Sequence, residues 1–402
     1  MRTYIDDMLK NRKKECATMR SPYTPGAGNK PNFLAGRDAL IAEIIDCLDE
    51  LKDGGMARHH IFYGVRGVGK TVLLNKIEEI ADDNDIMYAH LECSDANSLL
   101  REILYTTQNY LKRISSYEAF KDKVNVLLQI IKNISFECNL NNGTVSASLS
   151  SQNINGNLTY DLTDLIVSFG KILKKQEKMF IFFIDELQMA KKEHLTAFIA
   201  AIHRVNQLSL PVMVIGAGLP TVSRIVSEAK SYAERLFTGV KISYLKEKDA
   251  ISALTEPAQK KGVFYDDEAV SEIIKHTEGY PYFIQMFGDC IWKVKESNNI
   301  GIECVLTALD RYIEILDDSF FGSRYSRATN KEKEFLFAMT ECGTFPCSIT
   351  DIANKLHKGV KTISPLRSHL INKGLIYSPS FGEVDFTVPH FDKYLKRITK
   401  NI

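Results

Sequence analysis

A glycine-rich segment at residues 64–71 carries the strongest chemical signal in the sequence. It reads Gly-Val-Arg-Gly-Val-Gly-Lys-Thr and matches the phosphate-binding pattern G-x-x-x-x-G-K-[ST]. In such a loop, backbone N–H groups surround the phosphates, the lysine neutralises phosphate charge and the hydroxyl binds Mg²⁺. The pattern therefore predicts a site for ATP and Mg²⁺, formed by Gly64, Val65, Arg66, Gly67, Val68, Gly69, Lys70, Thr71 and the following Val72.

A second pattern pairs two carboxylates with the end of an apolar run. Residues 180–184 read Phe-Ile-Phe-Phe-Ile, which is typical of a buried strand, and Asp185 and Glu186 follow. Beside a phosphate-binding loop, this pattern predicts that Asp185 holds Mg²⁺ and that Glu186 polarises the attacking water. The alternative is that both are solvated loop acids.

The chain around these motifs alternates short apolar runs with helical patterns. This alternation predicts an α/β domain in which helices flank a parallel sheet. We expect a lead-in over residues 1–35, a nucleotide-binding domain over 36–243, a helical lid over 244–322 and a final domain over 323–402. An alternating, serine-rich stretch predicts a hairpin inserted at about 140–160. That hairpin would either decorate a helix surface or contact substrate or a neighbouring subunit.

The final domain has three predicted helices followed by two strands. Cap patterns begin the helices at Thr329, Ser348 and Ser364-Pro365, and strands are predicted at 375–377 and 384–388. This order predicts a winged helix-turn-helix. Cations on or beside its third helix favour duplex DNA as a partner, whereas Glu383 and Asp385 would repel phosphate. The cations are Lys358, Lys361, Arg367, His369 and Lys373.

Charge and composition narrow the classes of function. The net charge is +1, yet residues 323–402 hold thirteen Lys or Arg against seven Asp or Glu, which favours a nucleic-acid contact there. No apolar stretch approaches the roughly 20 residues of a membrane span, and the first twenty residues lack a signal core. The eight cysteines form no C-x-x-C pair, so reduced thiols and a cytoplasmic location are expected.

An ordered set of motifs extends across most of the chain. LAGR at 34–37, GVRGVGKT, FFIDELQ at 182–188, GAGLP at 216–220, YAERLF at 232–237 and GYPYFIQ at 279–285 occur in this order. In this set the chain resembles AAA+ ATPases akin to the origin-recognition initiators, which are neighbours of the signal-transduction (STAND) ATPases.

This resemblance implies a fold, further site residues and a homo-oligomer assembled through the ATPase domain. The fold would be a sheet domain, a helical lid and a C-terminal winged helix. The resemblance places Gly36 and Arg37 along the adenine, makes Pro281 an adenine contact, and makes Arg235 an arginine finger that reaches a neighbouring subunit. A surface or lid salt bridge is the alternative for Arg235.

The chain departs from the resembled family at two positions. A polar residue usual at the end of the fourth core strand is absent, because Ile215 leads directly into glycine. A lid arginine is missing from the 279–285 motif. Two functions therefore stay open: an ATPase acting on duplex DNA, or a nucleotide-controlled switch whose winged helix contacts protein. A transporter ATPase and a P-loop kinase fit the motifs poorly.

Overall fold

A computed structural model of the chain describes residues 19–26, 28–114, 121–141 and 157–400. These residues form two compact units. The first, here called the sheet unit, lies within residues 39–64 and 73–241. The second, here called the helical unit, contains the described residues up to 38, residues 65–72 and the residues from 242 onward. In the described ranges, no helix combines the length and the apolar character needed to cross a bilayer.

Five parallel strands form the sheet of the sheet unit. They are β1 His59–Tyr63, β2 Met87–Glu92, β3 Phe180–Asp185, β4 Val212–Gly218 and β5 Phe237–Lys241, in the spatial order β2-β3-β4-β1-β5. Parallel neighbours require crossover connections, which helices supply. The helices are α1 Asp38–Lys52, α2 Lys70–Asp83, α3 Ser98–Ile114, α4 Lys121–Asn141, α5 Leu158–Lys175, α6 Lys192–Gln207, α7 Thr221–Ala229 and α8 Ala233–Leu236. The predicted α/β class is confirmed.

The adjacent strands β3 and β4 form the centre of the core. Every residue of both strands is buried. Phe180 packs edge-on against Phe169 with ring centroids 5.2 Å apart, and it packs against Phe182 at 4.8 Å. A strand covered on both faces has a continuous apolar sequence, so the run at 180–184 was correctly predicted. Because the strands are parallel, Asp185 and Gly218 end at the same edge of the sheet.

The predicted hairpin insertion falls largely outside the described residues, since 142–156 are not among them. At its end the structure differs from the prediction, because Leu158 and Tyr160 lie in the first turn of α5. The Asn157 side chain accepts a hydrogen bond from the Thr159 N–H and caps this helix. The cap and the helical spacing of buried Leu162 and Leu165 outweigh the short alternating pattern.

Four helices between residues 247 and 315 of the helical unit are here called the lid, after the predicted domain. They are α9 Glu247–Gln259, α10 Asp267–Thr277, α11 Pro281–Val294 and α12 Ile302–Ile315, with the short parallel strands β6 Phe264–Tyr265 and β7 Asn299–Ile300. Phe287 and Tyr312 stack at 4.3 Å in their core. The Tyr23 hydroxyl donates to the Leu254 carbonyl at 2.7 Å, so the lead-in segment packs on these helices. A π-helix at Leu316–Gly322 and the short α13 Ser323–Tyr325 follow.

The C-terminal segment of the helical unit combines helices with a small antiparallel sheet. Its helices are α14 Asn330–Glu341, α15 Ile349–Lys355, α16 Val360–Asn372 and α17 Phe391–Lys400. Its strands are β8 Cys347–Ser348, β9 Ile376–Tyr377 and β10 Glu383–Phe386, ordered β8-β10-β9.

Two of the three predicted helix starts agree with this segment. Thr329 and Glu332 form the predicted capping box, and Ser348 caps α15 by accepting from the Thr350 N–H. The third helix was predicted to begin at Ser364-Pro365, which is wrong. It begins at Val360, and Pro365 lies inside it. With the earlier start, both Ile363 and Leu370 are buried in the core. Their burial offsets the destabilising effect of a proline inside the helix.

Candidate nucleotide-binding site

The loop at 64–71 leaves the carboxyl end of β1 and leads into α2. At its start, the Gly64 N–H donates to the Gly218 carbonyl at the end of β4, at 3.2 Å. Gly67 and Gly69 have φ of +77° and +93°, a left-handed backbone that glycine adopts without steric cost. Lys70 is 8% exposed, and its ammonium donates to the Val65 carbonyl at 2.9 Å. The loop is therefore tightly curved, and the Lys70 ammonium is hydrogen-bonded to a carbonyl near its start.

The segment at Gly36-Arg37 contacts this loop within the helical unit. One guanidinium nitrogen of Arg37 donates to the Val68 carbonyl at 3.3 Å and to the Ser243 carbonyl at 2.8 Å. Gly36 has φ of +66°, and a Cβ there would lie 2.7 Å from the Asp249 carboxylate. Residues that the resemblance placed at the adenine thus lie beside the phosphate-binding loop. Adenine contact itself stays a prediction.

The lid motif begins α11. Pro281 is the first residue of this helix, a position where its missing N–H costs nothing. The preceding Tyr280 is fully buried, and its hydroxyl donates to the Arg66 carbonyl in the loop. The lid motif and the Gly36-Arg37 segment therefore both contact the loop at 64–71.

The two predicted acids lie at the carboxyl end of β3. Asp185 is 6% exposed, and its backbone carbonyl accepts the Cys93 N–H at 3.0 Å. One of its carboxylate oxygens accepts the Glu186 N–H at 2.7 Å. Glu186 has φ of +51° and is half-buried, so the chain turns sharply between the two carboxylates. Asp185 is therefore buried at the end of the strand, whereas Glu186 is half-buried in the turn that follows it.

Gln188 is the residue here that sequence reasoning missed. Its side-chain amide donates to the Glu186 carboxylate, and its carbonyl oxygen accepts the Leu219 N–H at 2.8 Å. Leu219 directly follows β4, the strand whose usual polar residue is absent. Gln188 therefore brings a polar group to the end of β4 and orients Glu186. The available signal was its place in the motif FFIDELQ at 182–188. The sequence does not show the turn that directs its side chain toward Glu186.

Two parts of the chain match known family models. Residues 34–215 match the family described as the AAA ATPase domain, and residues 318–395 match a domain of unknown function (DUF8462). The chain has the fold of a P-loop AAA+ ATPase. None of the curated proteins matches the chain.

Solved structures with similar folds include the Walker-type ATPase PABY2304 of Pyrococcus abyssi. The similarity covers 95% of this chain and 99% of that one, with a TM-score of 0.53 and 15% identity. The ORC1 protein of Aeropyrum pernix, solved in complex with DNA, covers 92% of this chain and 96% of its own, with 15% identity. Its TM-score of 0.45 is too low to support an argument. At such identities the similarity concerns the fold alone.

Arg235 lies in the four-residue α8, directly before the edge strand β5. Its side chain is exposed, and it forms no salt bridge with the described residues. The alternative of a salt bridge within the subunit is thus not seen in that part of the chain. Arg235 is therefore exposed beside the edge strand β5.

Most of the cations predicted to contact DNA have partners within the C-terminal segment. Lys358 pairs with Glu334 at 3.3 Å, and Arg367 donates to the Ser378 hydroxyl at 2.7 Å. Lys373 donates to Glu332 at 2.6 Å. His369 is exposed, with a ring nitrogen 3.8 Å from Glu332. Lys361 is exposed and has no ion pair among the described residues.

The contact between Lys373 and Glu332 is structural. Glu332 is 2% exposed, and burial alone would raise the pKa of its carboxyl. The hydrogen bonds from Lys373 and Thr329 outweigh this effect and hold that pKa below its ordinary value. Lys373 therefore stabilises a buried charge, and Lys361 is an exposed lysine of the predicted DNA face without an ion pair among the described residues.

Proposed function

We propose that this chain binds ATP with Mg²⁺ and hydrolyses ATP to ADP and phosphate. The conformation of the loop at 64–71 carries the proposal. The left-handed backbone at Gly67 and Gly69 suits a nest of N–H donors for phosphate oxygens, and Lys70 adds a positive charge. Gly36, Arg37 and Pro281 belong to the proposed adenine side of the site.

The donors proposed for Mg²⁺ fit that ion chemically. Thr71 offers a hydroxyl and Asp185 offers a buried carboxylate, and both are the hard oxygen ligands that Mg²⁺ prefers. Thr71 and Asp185 would hold the ion, which would supply positive charge against the phosphate groups.

Glu186 is the proposed general base. It accepts a proton from water as the water oxygen attacks the γ-phosphorus and the bond to the β–γ bridging oxygen breaks. The hydrogen bond from Gln188 supports this role because it fixes the direction of the carboxylate. Lys70 stabilises the phosphate charge during the transfer.

Arg235 is proposed to act across a subunit interface in a homo-oligomer. A positive charge placed there would stabilise transition-state charge on the ATP of the neighbouring subunit. Its exposure beside an edge strand supports this role.

For the C-terminal segment we propose a winged helix that contacts duplex DNA through the face from Lys358 to Lys373. Its positive local charge and exposed Lys361 support this partner. The alternative is a nucleotide-controlled switch whose winged helix contacts protein. The carboxylate partners of Lys358 and Lys373 favour the switch, because they offset the positive charge that these lysines would offer phosphate.

ATP turnover with and without duplex DNA, together with particle mass in each nucleotide state, separates the two functions. The DNA-associated function expects DNA-stimulated turnover, and the switch expects tightly bound nucleotide with negligible turnover. Lys70→Ala should abolish ATP binding in both cases, because its charge pairs with phosphate in the ground state. Retained ATP binding in Lys70→Ala at the parent affinity would contradict the proposed site.

DNA contact through Lys361 has its own test. Lys361→Ala should weaken duplex binding and lower the slope of log affinity against log salt by about one, as expected for one lost phosphate contact. A parent protein without duplex affinity at low salt would leave the switch as the better function.

A further inference from the structure

The Tyr280 hydroxyl links the lid to the phosphate-binding loop. Tyr280 is fully buried and packs against Tyr244 and Phe283. Burial raises the pKa of Tyr280, so its hydroxyl keeps the proton that it donates to the Arg66 carbonyl. A side chain at Gly67 would collide with this hydroxyl. The contact is therefore direct and closely fitted.

The C-terminal segment also contacts Arg66, by accepting a hydrogen bond from its backbone N–H. The Arg66 N–H donates to the Thr387 carbonyl at 3.0 Å. Thr387 is fully buried, and its hydroxyl donates to the Gly374 carbonyl at 2.7 Å, which fixes the strand end that presents the acceptor. A Cβ at Gly374 would lie 3.2 Å from a guanidinium nitrogen of Arg66. Both backbone polar groups of Arg66 thus have partners late in the chain.

The position of Arg66 makes these contacts important for the loop. It directly precedes Gly67 and lies three residues before Gly69, the glycines whose left-handed backbone shapes the loop. Glycine loses the most conformational freedom when it is ordered, so a loop with two of them needs external contacts to keep one shape. Contacts that order a loop before its ligand arrives increase affinity.

We propose that Tyr280 is a positioning residue for the phosphate-binding loop, and that the lid and the C-terminal segment together hold the loop at Arg66 in its nucleotide-binding shape. The proposal rests on the proposed ATP binding. Nucleotide affinity is then sensitive to how the C-terminal segment packs against Arg66.

Tyr280→Phe tests the lid contact, and Tyr312→Phe is its matched control. Tyr312 is also a buried lid tyrosine, but its hydroxyl has no hydrogen-bond partner in the described residues. Tyr280→Phe should weaken ATP binding by about two- to tenfold and raise KM more than it lowers kcat, as expected for one lost hydrogen bond in a binding contact. Hydrogen exchange in a peptide covering residues 65–69 should accelerate. Tyr312→Phe should leave ATP affinity, the kinetic constants and hydrogen exchange at 65–69 near the parent values.

Gly374→Ala tests the C-terminal contact, with Gly382→Ala as its control. Both glycines have a left-handed backbone, at φ of +65° and +78°, so both substitutions carry a similar backbone cost. Only Gly374 faces Arg66, since a Cβ at Gly382 would meet nothing within 4 Å. Gly374→Ala should accelerate exchange at 65–69 and weaken ATP binding, and Gly382→Ala should leave both near the parent values.

These measurements separate failure of this proposal from failure of the proposed function. If the parent binds ATP and both test variants match their controls in affinity and exchange, the positioning role is wrong. If the parent binds no ATP, the proposed function fails, and exchange at residues 65–69 alone decides the positioning role. A variant that unfolds is identified by its Tm, and the other pair then decides.

Discussion

The strand end at 185–188 and the loop at 64–71 are held in place by different kinds of contact. At the strand end, Asp185 accepts the N–H of the next residue, and Gln188 reaches Glu186 and Leu219. The loop is instead held at Arg66 by Tyr280, 214 positions away, and by Thr387 near the end of the chain. The acids are thus held by contacts within the sheet unit, and the loop is held at Arg66 by residues more than 200 positions away.

This difference suggests a division between chemistry and affinity. Changes near the strand end should alter turnover and leave ATP affinity largely intact. Changes in the lid or the C-terminal segment should alter affinity first, because they act on the shape of the loop. Removal of the proposed base should give the largest effect that tests this division.

Glu186→Gln should retain ATP binding and lower turnover by about 100- to 10,000-fold, the usual range for loss of a general base. Nucleotide affinity and single-turnover hydrolysis measure the two effects separately. Hydrolysis at the parent rate would show that another group accepts the proton.

Mixing this variant with Arg235→Ala extends the test to the subunit interface. Each variant alone should be inactive, but mixed oligomers should regain activity where an intact base meets an intact arginine. An absence of rescue in mixtures that demonstrably co-assemble would argue against action between subunits.

Gln188→Ala should have a smaller effect on the same step. It removes a hydrogen bond to a charged group, so we expect kcat to fall by about ten- to a hundredfold with ATP affinity nearly unchanged. Gln207→Ala, at the exposed end of α6, is the control and should match the parent in steady-state kinetics. An equal fall in affinity and kcat would instead assign Gln188 to nucleotide binding.

The smallest expected effect is the coupling between the two segments. The contacts of Gln188 and Tyr280 share no residue, so the free-energy changes of Gln188→Ala and Tyr280→Phe should add to within about 0.5 kcal/mol. A double-mutant cycle on kcat/KM measures this. Strong coupling would break the division between chemistry and affinity.

Several features of this protein could be predicted because their causes are short-range. The loop at 64–71 is one continuous pattern, and its positive φ angles at Gly67 and Gly69 suit the predicted curl of backbone N–H groups. The run at 180–184 is buried on both faces, so its composition alone indicated a central strand. The Thr329 capping box joins residues three positions apart, within reach of sequence patterns.

Other features were decided by packing between distant residues. Sequence patterns placed Lys373 on a predicted DNA-binding face. In the structure its ammonium donates a hydrogen bond to the buried Glu332 carboxylate. Arg367 was assigned likewise, and it donates to Ser378. A cation's accessibility depends on which acids and hydroxyls the tertiary fold brings near it, and the spacing of residues does not contain that information.

The loop shows the same limit at the proposed nucleotide site. Its sequence determined which groups can bind phosphate: glycine N–H donors, the Lys70 ammonium and the Thr71 hydroxyl. Only the tertiary structure decided that Tyr280 and Thr387 hold it at Arg66. The physical reason is that the type of a residue sets which bonds it can form, whereas the choice of partner depends on the folding of the whole chain, which no local pattern encodes.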